Sequence, residues 1–127
     1  MVQLLSRIST IKTAQKESVL LRLISQLVHE ATLEHPAFAG LYVSRVQLSP
    51  GKSNCTVFFY TVQGADHFSA LLDDLKLYKP SIRKAIATRV NARYTVDLLF
   101  KFDEQFERTQ RIEQLLEKVK DEVVSNS

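Results

Sequence analysis

Residues 77–93 read LYKPSIRKAIATRVNAR, and they decide how the middle of the chain folds. Apolar residues recur at helical spacing before this stretch and within it, but Pro80 interrupts the period. Proline is tolerated in the first turn of a helix, whereas inside a helix it removes a hydrogen bond and clashes with the preceding turn. The stretch therefore predicts two helices with a sharp kink between them.

The same region carries an uncompensated positive charge. Between Leu75 and Val96 there are six basic residues and no acidic residue, whereas the remaining 105 residues carry 11 basic and 14 acidic residues. The six are Lys76, Lys79, Arg83, Lys84, Arg89 and Arg93. Such a polarised charge is typical of proteins that bind nucleic acid or another anionic surface. A solvated helix face without a ligand is the alternative.

Upstream of this region, the pattern predicts a helix and a β-hairpin. A helical period that starts with a cap at Thr13 ends at His35-Pro36. The apolar phase slips within residues 41–48, which predicts a strand with a β-bulge. The turn formers of residues 49–54 predict a hairpin loop. The strand that follows, CTVFFYTV from Cys55, is apolar on both faces and is predicted to be central in the sheet.

Downstream, TVDLLFKF predicts a third strand, and residues 105–124 predict an amphipathic C-terminal helix. Its apolar stripe consists of Ile112, Leu115, Leu116 and Val119. The stripe is predicted to dock on the core, and a partner-binding helix is the alternative. The full order is helix, strand, strand, helix, kink, helix, strand, helix.

This order predicts an α+β fold in which a three-stranded sheet has helices packed on one face. It is the arrangement of a type II KH-like domain, a common RNA-binding fold, and residues 1–127 are predicted to form a single such domain. KH domains usually clamp the RNA backbone with a GXXG loop between two helices. The glycines of this chain (Gly40, Gly51 and Gly64) all lie away from the helix junction.

Several kinds of function lack support in the sequence. Cys55 is the only cysteine, so the chain offers no intrachain disulfide, and a buried thiol is its predicted role. The three histidines have no metal-ligand spacing, and the acidic pairs lack a partner for acid–base chemistry. Without a membrane-span or signal-peptide pattern, the expectation is a cytoplasmic protein that is not an enzyme and uses neither cofactor nor small-molecule substrate.

Short motifs along most of the chain resemble those of the bacterial ribosome-binding factor A family. VSRVQLS at residues 43–49 fits the family's first strand, and CTVFFYT at residues 55–61 fits its aromatic-rich second strand. Ile82-Arg83 matches the pair that opens the second helix, and Arg93 matches a later arginine. LLFKFD at residues 98–103 has Leu, Phe and Asp at the positions of the family's third-strand pattern.

The resemblance implies an assembly factor rather than a catalyst. Its expected partners are the maturing small ribosomal subunit and its ribosomal RNA, whose late processing and folding the family assists, especially in the cold. The expected oligomeric state is a monomer. Tyr78, Lys79 and Pro80 stand where the family commonly has an Ala-x-Gly kink. The alternatives are an RNA-independent protein–protein adaptor and a general RNA-binding KH-like module that is not tied to the ribosome.

The predicted RNA contacts are Lys79, Arg83, Lys84, Arg89 and Arg93. On a helical wheel Arg83 and Lys84 point away from the apolar stripe, and Arg and Lys suit phosphate as forked and point donors. Arg89 and Arg93 lie beside the stripe, so packing with a solvated head group is the alternative for both. Arg45 and Lys52 are further cations that no pattern places on the same side. The strand aromatics, Phe58 among them, are predicted to pack in the core.

Overall fold

The computed structural model describes residues 2–51, 53–90 and 96–125, and the side chains of residues 13–51, 53–90 and 96–123. In chain order the elements are α1 (Val2–Glu34), a 3-10 helix (Pro36–Phe38), β1 (Tyr42–Leu48), β2 (Asn54–Tyr60), α2 (Ala65–Lys76), α3 (Lys79–Arg89), β3 (Asp97–Phe102) and α4 (Glu104–Ser125). The predicted α+β order is confirmed.

The three strands form one sheet in the order β1-β2-β3. β1 and β2 pair antiparallel through the predicted hairpin, whose loop is closed by the Ser49 N–H donating to the Asn54 carbonyl at 2.9 Å. β3 pairs parallel with β2, and α2 with α3 form the crossover that a parallel pair requires. β2 is the central strand, as predicted, and Cys55, Val57 and Phe59 on its inner face are fully buried.

The predicted β-bulge in β1 is confirmed. Its pairing register with β2 shifts between Val43 and Arg45. An extra residue in one strand reverses the inward and outward alternation beyond it. As a result Val43, Val46 and Leu48 are all buried, although simple alternation would expose Val46 and Leu48 if Val43 were buried.

Helix α1 lies across the inner face of the sheet and packs mainly against β1. The sequence prediction placed its start at Thr13, and this is wrong, because the helix begins at Val2. Residues 2–12 contain no glycine or proline, so nothing in them breaks the helix. The predicted end before Pro36 is confirmed. Its buried side chains on the core are Leu20, Leu23, Ile24, Val28 and Ala31.

The kink between α2 and α3 is confirmed and spans only Leu77 and Tyr78. Pro80 is the second residue of α3, where a helix has no partner for the N–H that proline lacks. The first turn of α3 is closed by the Ile82 N–H donating to the Tyr78 carbonyl at 3.0 Å. The Tyr78 ring packs edge-on against Phe38, with ring centroids 5.7 Å apart, and this contact fixes the junction on the core.

Helix α4 leaves the domain, so the prediction that it docks on the core is wrong. Its first turns pack on the sheet through Phe106, whose ring contacts Tyr42 and Tyr60. The apolar stripe that starts at Ile112 is turned by about 120° from Phe106 on a helix of 3.6 residues per turn. The stripe therefore faces away from the core. Its side chains, which are 55–64% exposed, are Ile112, Leu115, Leu116, Val119 and Val123.

Candidate nucleic-acid interface

Helix α3 carries exposed basic side chains, and one of them lies on the side opposite its packed face. Ile82 and Ile86 are buried against the core, and Lys84 lies on the far side of the helix, exposed to solvent. In the part of the chain that the structure describes, the Lys84 side chain forms neither an ion pair nor a hydrogen bond. Its charge is therefore available to a ligand.

Arg83 is also exposed, but it has a partner. Its Nη2 lies 3.3 Å from Oδ1 of Asp97, the first residue of β3, and both side chains are solvent-accessible. Exposed ion pairs of this kind contribute roughly 0–1 kcal/mol. A phosphate group can therefore replace Asp97 as the partner of Arg83 at little cost.

Lys79 stands at the first position of α3 and is half-buried. Its Nζ lies 5.2 Å from the centroid of the Phe100 ring, which is within the range of a cation–π contact. Since Phe100 is a core residue, Lys79 is held against the sheet while its head group stays partly in solvent. Its position adds positive charge at the kink.

Arg89 is the last residue of α3, and its side chain is exposed. It lies about 140° from Lys84 around the helix, so the two cations do not share one narrow face. A cation at a helix C-terminus also interacts favourably with the helix dipole, which gives Arg89 a role that needs no RNA. Arg93 lies outside the described residues, as does Lys52 in the hairpin loop.

Acidic residues mark one border of this basic surface. An apolar cleft of about 190 Å³ separates α1 from α3, and Leu75, Ile82 and Phe100 are among the residues that line it. Glu30 and Glu34 of α1 stand on the same cleft. Because carboxylates repel phosphate, RNA that follows α3 is expected to stay on the side of Lys84 and away from α1.

The strand aromatics are divided between the two faces of the sheet. Phe59 and Phe100 are buried in the core cluster, which confirms the prediction of core packing for them, whereas Tyr60 is buried on the outer face beside Phe106 of α4. Phe58 is different, because it is half-buried on the outer face with the Arg45 guanidinium carbon 3.9 Å from its ring centroid. No sequence pattern pointed to this pair, since the bulge in β1 sets which residue faces Phe58.

Two further properties concern the described residues alone. Among them, no three His, Cys, Asp or Glu side chains lie close enough together to hold a metal ion. None of the described helices has both the length and the apolar character needed to cross a bilayer.

The Cys55 thiol is buried, and burial together with the nearby charge of Glu17 raises its pKa to about 11. It is therefore protonated at neutral pH.

Known proteins resemble this chain in both sequence and structure. Residues 12–116 match the family model of ribosome-binding factor A. A ribosome-binding factor A from Rhodopseudomonas palustris strain BisB18 is 35% identical over 95 residues, which span 73% of this chain and 69% of that protein. A second one, from strain HaA2, is 32% identical over 115 residues and spans 83% of this chain and 84% of that protein.

Solved structures of this family are similar to the chain as well. The crystal structure of ribosome-binding factor A from Thermus thermophilus has a TM-score of 0.60 and 26% identity, covering 71% of this chain and 93% of that one. A homology model of the Thermus thermophilus factor, fitted into a cryo-electron microscopy map of a complex with the 30S subunit, has a TM-score of 0.53 and 25% identity. It covers 65% of this chain and 86% of that one.

The matched region includes the features on which the candidate site depends. Residues 12–116 contain the bulged β1, the kinked pair α2 and α3, and β3 followed by Asp103. The family model therefore covers the same elements that carry the basic side chains. The protein belongs to the ribosome-binding factor A family and has its KH-like α+β fold.

Proposed function

We propose that this protein is a ribosome assembly factor that binds the maturing small ribosomal subunit through its ribosomal RNA. Family membership supports the proposal, as does the relative whose structure was fitted into a complex with the 30S subunit. The observation that carries it is the exposed basic side of α3, where Arg83 and Lys84 have no competing acid on their own helix.

In this proposal α3 contacts the phosphate backbone. Lys84 and Arg83 hold phosphates directly, and Lys79 adds positive charge at the kink. Arg89 and Arg93 are further proposed contacts. Binding energy that is available to only one conformation of the RNA shifts the RNA toward that conformation. The factor would thereby assist late processing and folding of the RNA without catalysing a reaction.

The same proposal includes the setting in which the protein works. It acts as a monomer in the cytoplasm, needs no cofactor, metal or small-molecule substrate, and supports subunit maturation especially in the cold, when misfolded RNA escapes slowly. The short kink, with Pro80 in the family's glycine position, serves here to orient α3 rather than to bring its backbone close to RNA.

Sedimentation with isolated small ribosomal subunits tests the proposal. The wild-type protein is expected to travel with the subunits at low salt and to be released as salt is raised, because binding to phosphates releases counterions. An Arg83→Glu/Lys84→Glu variant is expected to stay behind. An Arg22→Glu/Lys118→Glu variant is the matched control, since it makes the same charge change at exposed positions of α1 and α4. If both variants travel like the wild type, α3 is not the RNA surface.

A second candidate function is supported by α4. Its exposed apolar stripe fits a protein–protein adaptor that does not need RNA, because large apolar patches on a surface mark interaction sites. The two functions differ in their response to salt: an RNA complex weakens steeply, whereas an apolar helix contact barely changes. The adaptor is favoured if a Leu116→Ser/Val119→Ser variant no longer sediments with the subunits while the Arg83→Glu/Lys84→Glu variant still does.

A further inference from the structure

The outer face of the sheet, opposite α1, α2 and α3, carries a row of three side chains. Arg45 of β1 is the register partner of Phe58 of β2, and Phe58 is the register partner of Lys101 of β3. Partners in register lie on the same face of a sheet and are close enough to contact. The row therefore places one aromatic ring between two cations, with Arg45 and Lys101 exposed and Phe58 half-buried.

The Arg45 guanidinium is fixed over the ring. Its Cζ lies 3.9 Å from the Phe58 centroid, and its Nε donates to Oδ2 of Asp103 at 3.0 Å. Ser44 Oγ donates to the same oxygen at 2.7 Å, and Asp103 is buried. The ion pair with Asp103 and the contact with the ring hold the Arg45 guanidinium in one orientation. Arg45 and Phe58 thus form a preorganised platform.

The platform lies in a hollow that is bordered by the sheet, the first turns of α4 and, past the edge of β3, the first turns of α2 at Ala65 and Ser69. The hollow is open to solvent and has a volume of about 590 Å³. Gln105 and Arg108 of α4 line it together with the row. Glu104 is the one carboxylate among its described lining residues, against three cations, of which Arg45 is already paired with the buried Asp103 and Lys101 and Arg108 are the other two. The hollow is therefore positively charged and contains a surface on which a flat group can stack.

We propose that this hollow is a second RNA site, which takes an unpaired nucleotide. The base stacks on the Arg45–Phe58 platform, and Lys101 and Arg108 hold the flanking phosphates. Unpaired bases stack on aromatic rings and on arginine guanidinium planes, whereas bases in a duplex have no free face to offer. The net positive charge complements the RNA backbone.

This second site adds to the proposed function. It rests on that function because its ligand is taken to be RNA. It is separate from the α3 surface, because α3 packs on the inner face of the sheet and the row lies on the outer face. One domain would then hold two RNA segments on opposite sides. Such an arrangement suits a factor that stabilises one relative placement of two RNA segments.

Binding of a short, fluorescent, unstructured RNA oligonucleotide to the full chain tests the site. Phe58→Leu is expected to lower the affinity several-fold, because it removes the ring that holds the Arg45 guanidinium flat for the base to stack on. Lys101→Ala is expected to lower it about threefold and to reduce the slope of log affinity against log salt by about 0.7. The described hydrogen bonds of the Asp103 carboxylate come from Ser44, Arg45 and Phe106, so neither variant removes one of them. Val62→Ala and Lys118→Ala are matched controls at exposed positions outside the hollow, and both are expected to bind like the wild type.

Photo-crosslinking of the wild-type protein provides a readout that does not depend on the folding of any variant. RNA that contains 4-thiouridine is expected to cross-link to peptides of β1 and β2 that contain Arg45 or Phe58. A blunt duplex of the same sequence is expected to give no such cross-link.

The proposal is overturned if the oligonucleotide fails to bind, if Phe58→Leu and Lys101→Ala bind it like the wild type, or if cross-links map to α3 alone. These results are distinct from failure of the proposed function. If the Arg83→Glu/Lys84→Glu variant loses the subunit while the row variants keep the oligonucleotide, the α3 surface stands and the second site falls. The reverse pattern supports the second site and removes the α3 surface.

Discussion

At the scale of single residues, Asp103 connects the end of β3 to two other parts of the fold. Its Oδ1 accepts the Phe106 N–H at 3.0 Å and so caps α4, while its Oδ2 accepts from Ser44 and Arg45 of β1. Burial alone would raise the pKa of Asp103, but the hydrogen bonds from Ser44, Phe106 and Arg45, with the charge of Arg45, lower the pKa below its ordinary value. The ionised carboxylate is therefore the form that the fold stabilises.

We expect Asp103→Ala to lower the free energy of unfolding by about 2–3 kcal/mol. A helix cap contributes about 1 kcal/mol and hydrogen bonds to a buried carboxylate contribute about 1.5–3 kcal/mol, while Arg45 is 44% exposed and its ion pair is largely screened. Urea unfolding at neutral pH measures the change. Asp97→Ala, which removes an exposed carboxylate, serves as the control and is expected to change stability by less than about 1 kcal/mol. If Asp103→Ala and Asp97→Ala lower the free energy of unfolding equally, the contacts of Asp103 do not stabilise the fold.

The same residue predicts how stability responds to acid. Because the folded-state pKa of Asp103 lies below the unfolded value of about 3.9, its contribution is complete above that value and is lost as the pH falls through the folded pKa. An Asp103→Asn variant lacks this contribution at every pH. Its difference in unfolding free energy from the wild type is therefore expected to shrink when urea unfolding is repeated below about pH 4. If the difference in unfolding free energy between the two proteins stays constant with pH, the charge of the Asp103 carboxylate does not contribute to stability.

These residue contacts were only partly predictable. The sequence placed Asp103 in the LLFKFD pattern and at the end of a strand, but its partners Ser44 and Arg45 come from a strand nearly sixty positions earlier. The pairing of Arg45 with Phe58 depends on the bulge between Val43 and Arg45. A one-residue shift moves every later side chain to the other face, so alternation alone cannot place them.

At the scale of elements, α4 is the helix whose apolar stripe stays exposed. We expect Leu116→Ser/Val119→Ser to leave the free energy of unfolding within about 0.5 kcal/mol of the wild type, because both side chains are more than half exposed and lie outside the core. Thermal unfolding with circular dichroism measures this. The comparison is Leu23→Ser on α1, whose buried side chain is expected to cost several kcal/mol. A large loss in the α4 variant would mean that the stripe packs on the domain.

Elements that contain their own start or stop signal were predicted well. Pro36 and Pro80 mark helix boundaries through local chemistry, and the structure confirms both. The start of α1 was missed because Thr13 has the character of a cap, yet the residues before it continue the helix. The exposure of the α4 stripe was missed because periodicity identifies the apolar face of a helix but not what covers that face.

At the scale of the whole molecule, the fold separates its charges. The acid-free helix α3 lies on one side of the sheet, Glu30 and Glu34 of α1 border it, and Arg45 with Lys101 lies on the opposite side. Composition revealed the excess of cations in residues 75–96 but not the second cationic surface, whose members are far apart in the chain. Tertiary pairing of strands brings them together.

The most direct test of the α3 surface is cleavage of ribosomal RNA from a reagent tethered to this helix. Since the native Cys55 is buried and protonated at neutral pH, a new exposed cysteine can be labelled selectively with an iron chelate. Thr88→Cys places the label on the exposed side of α3, and Ser18→Cys places it on an exposed position of α1, outside the proposed RNA surface. In complexes with the small subunit, hydroxyl radicals from position 88 are expected to cut the RNA strongly and those from position 18 weakly. Equal cleavage from both positions, or cleavage from position 18 alone, would contradict the claim that α3 is the RNA-binding surface.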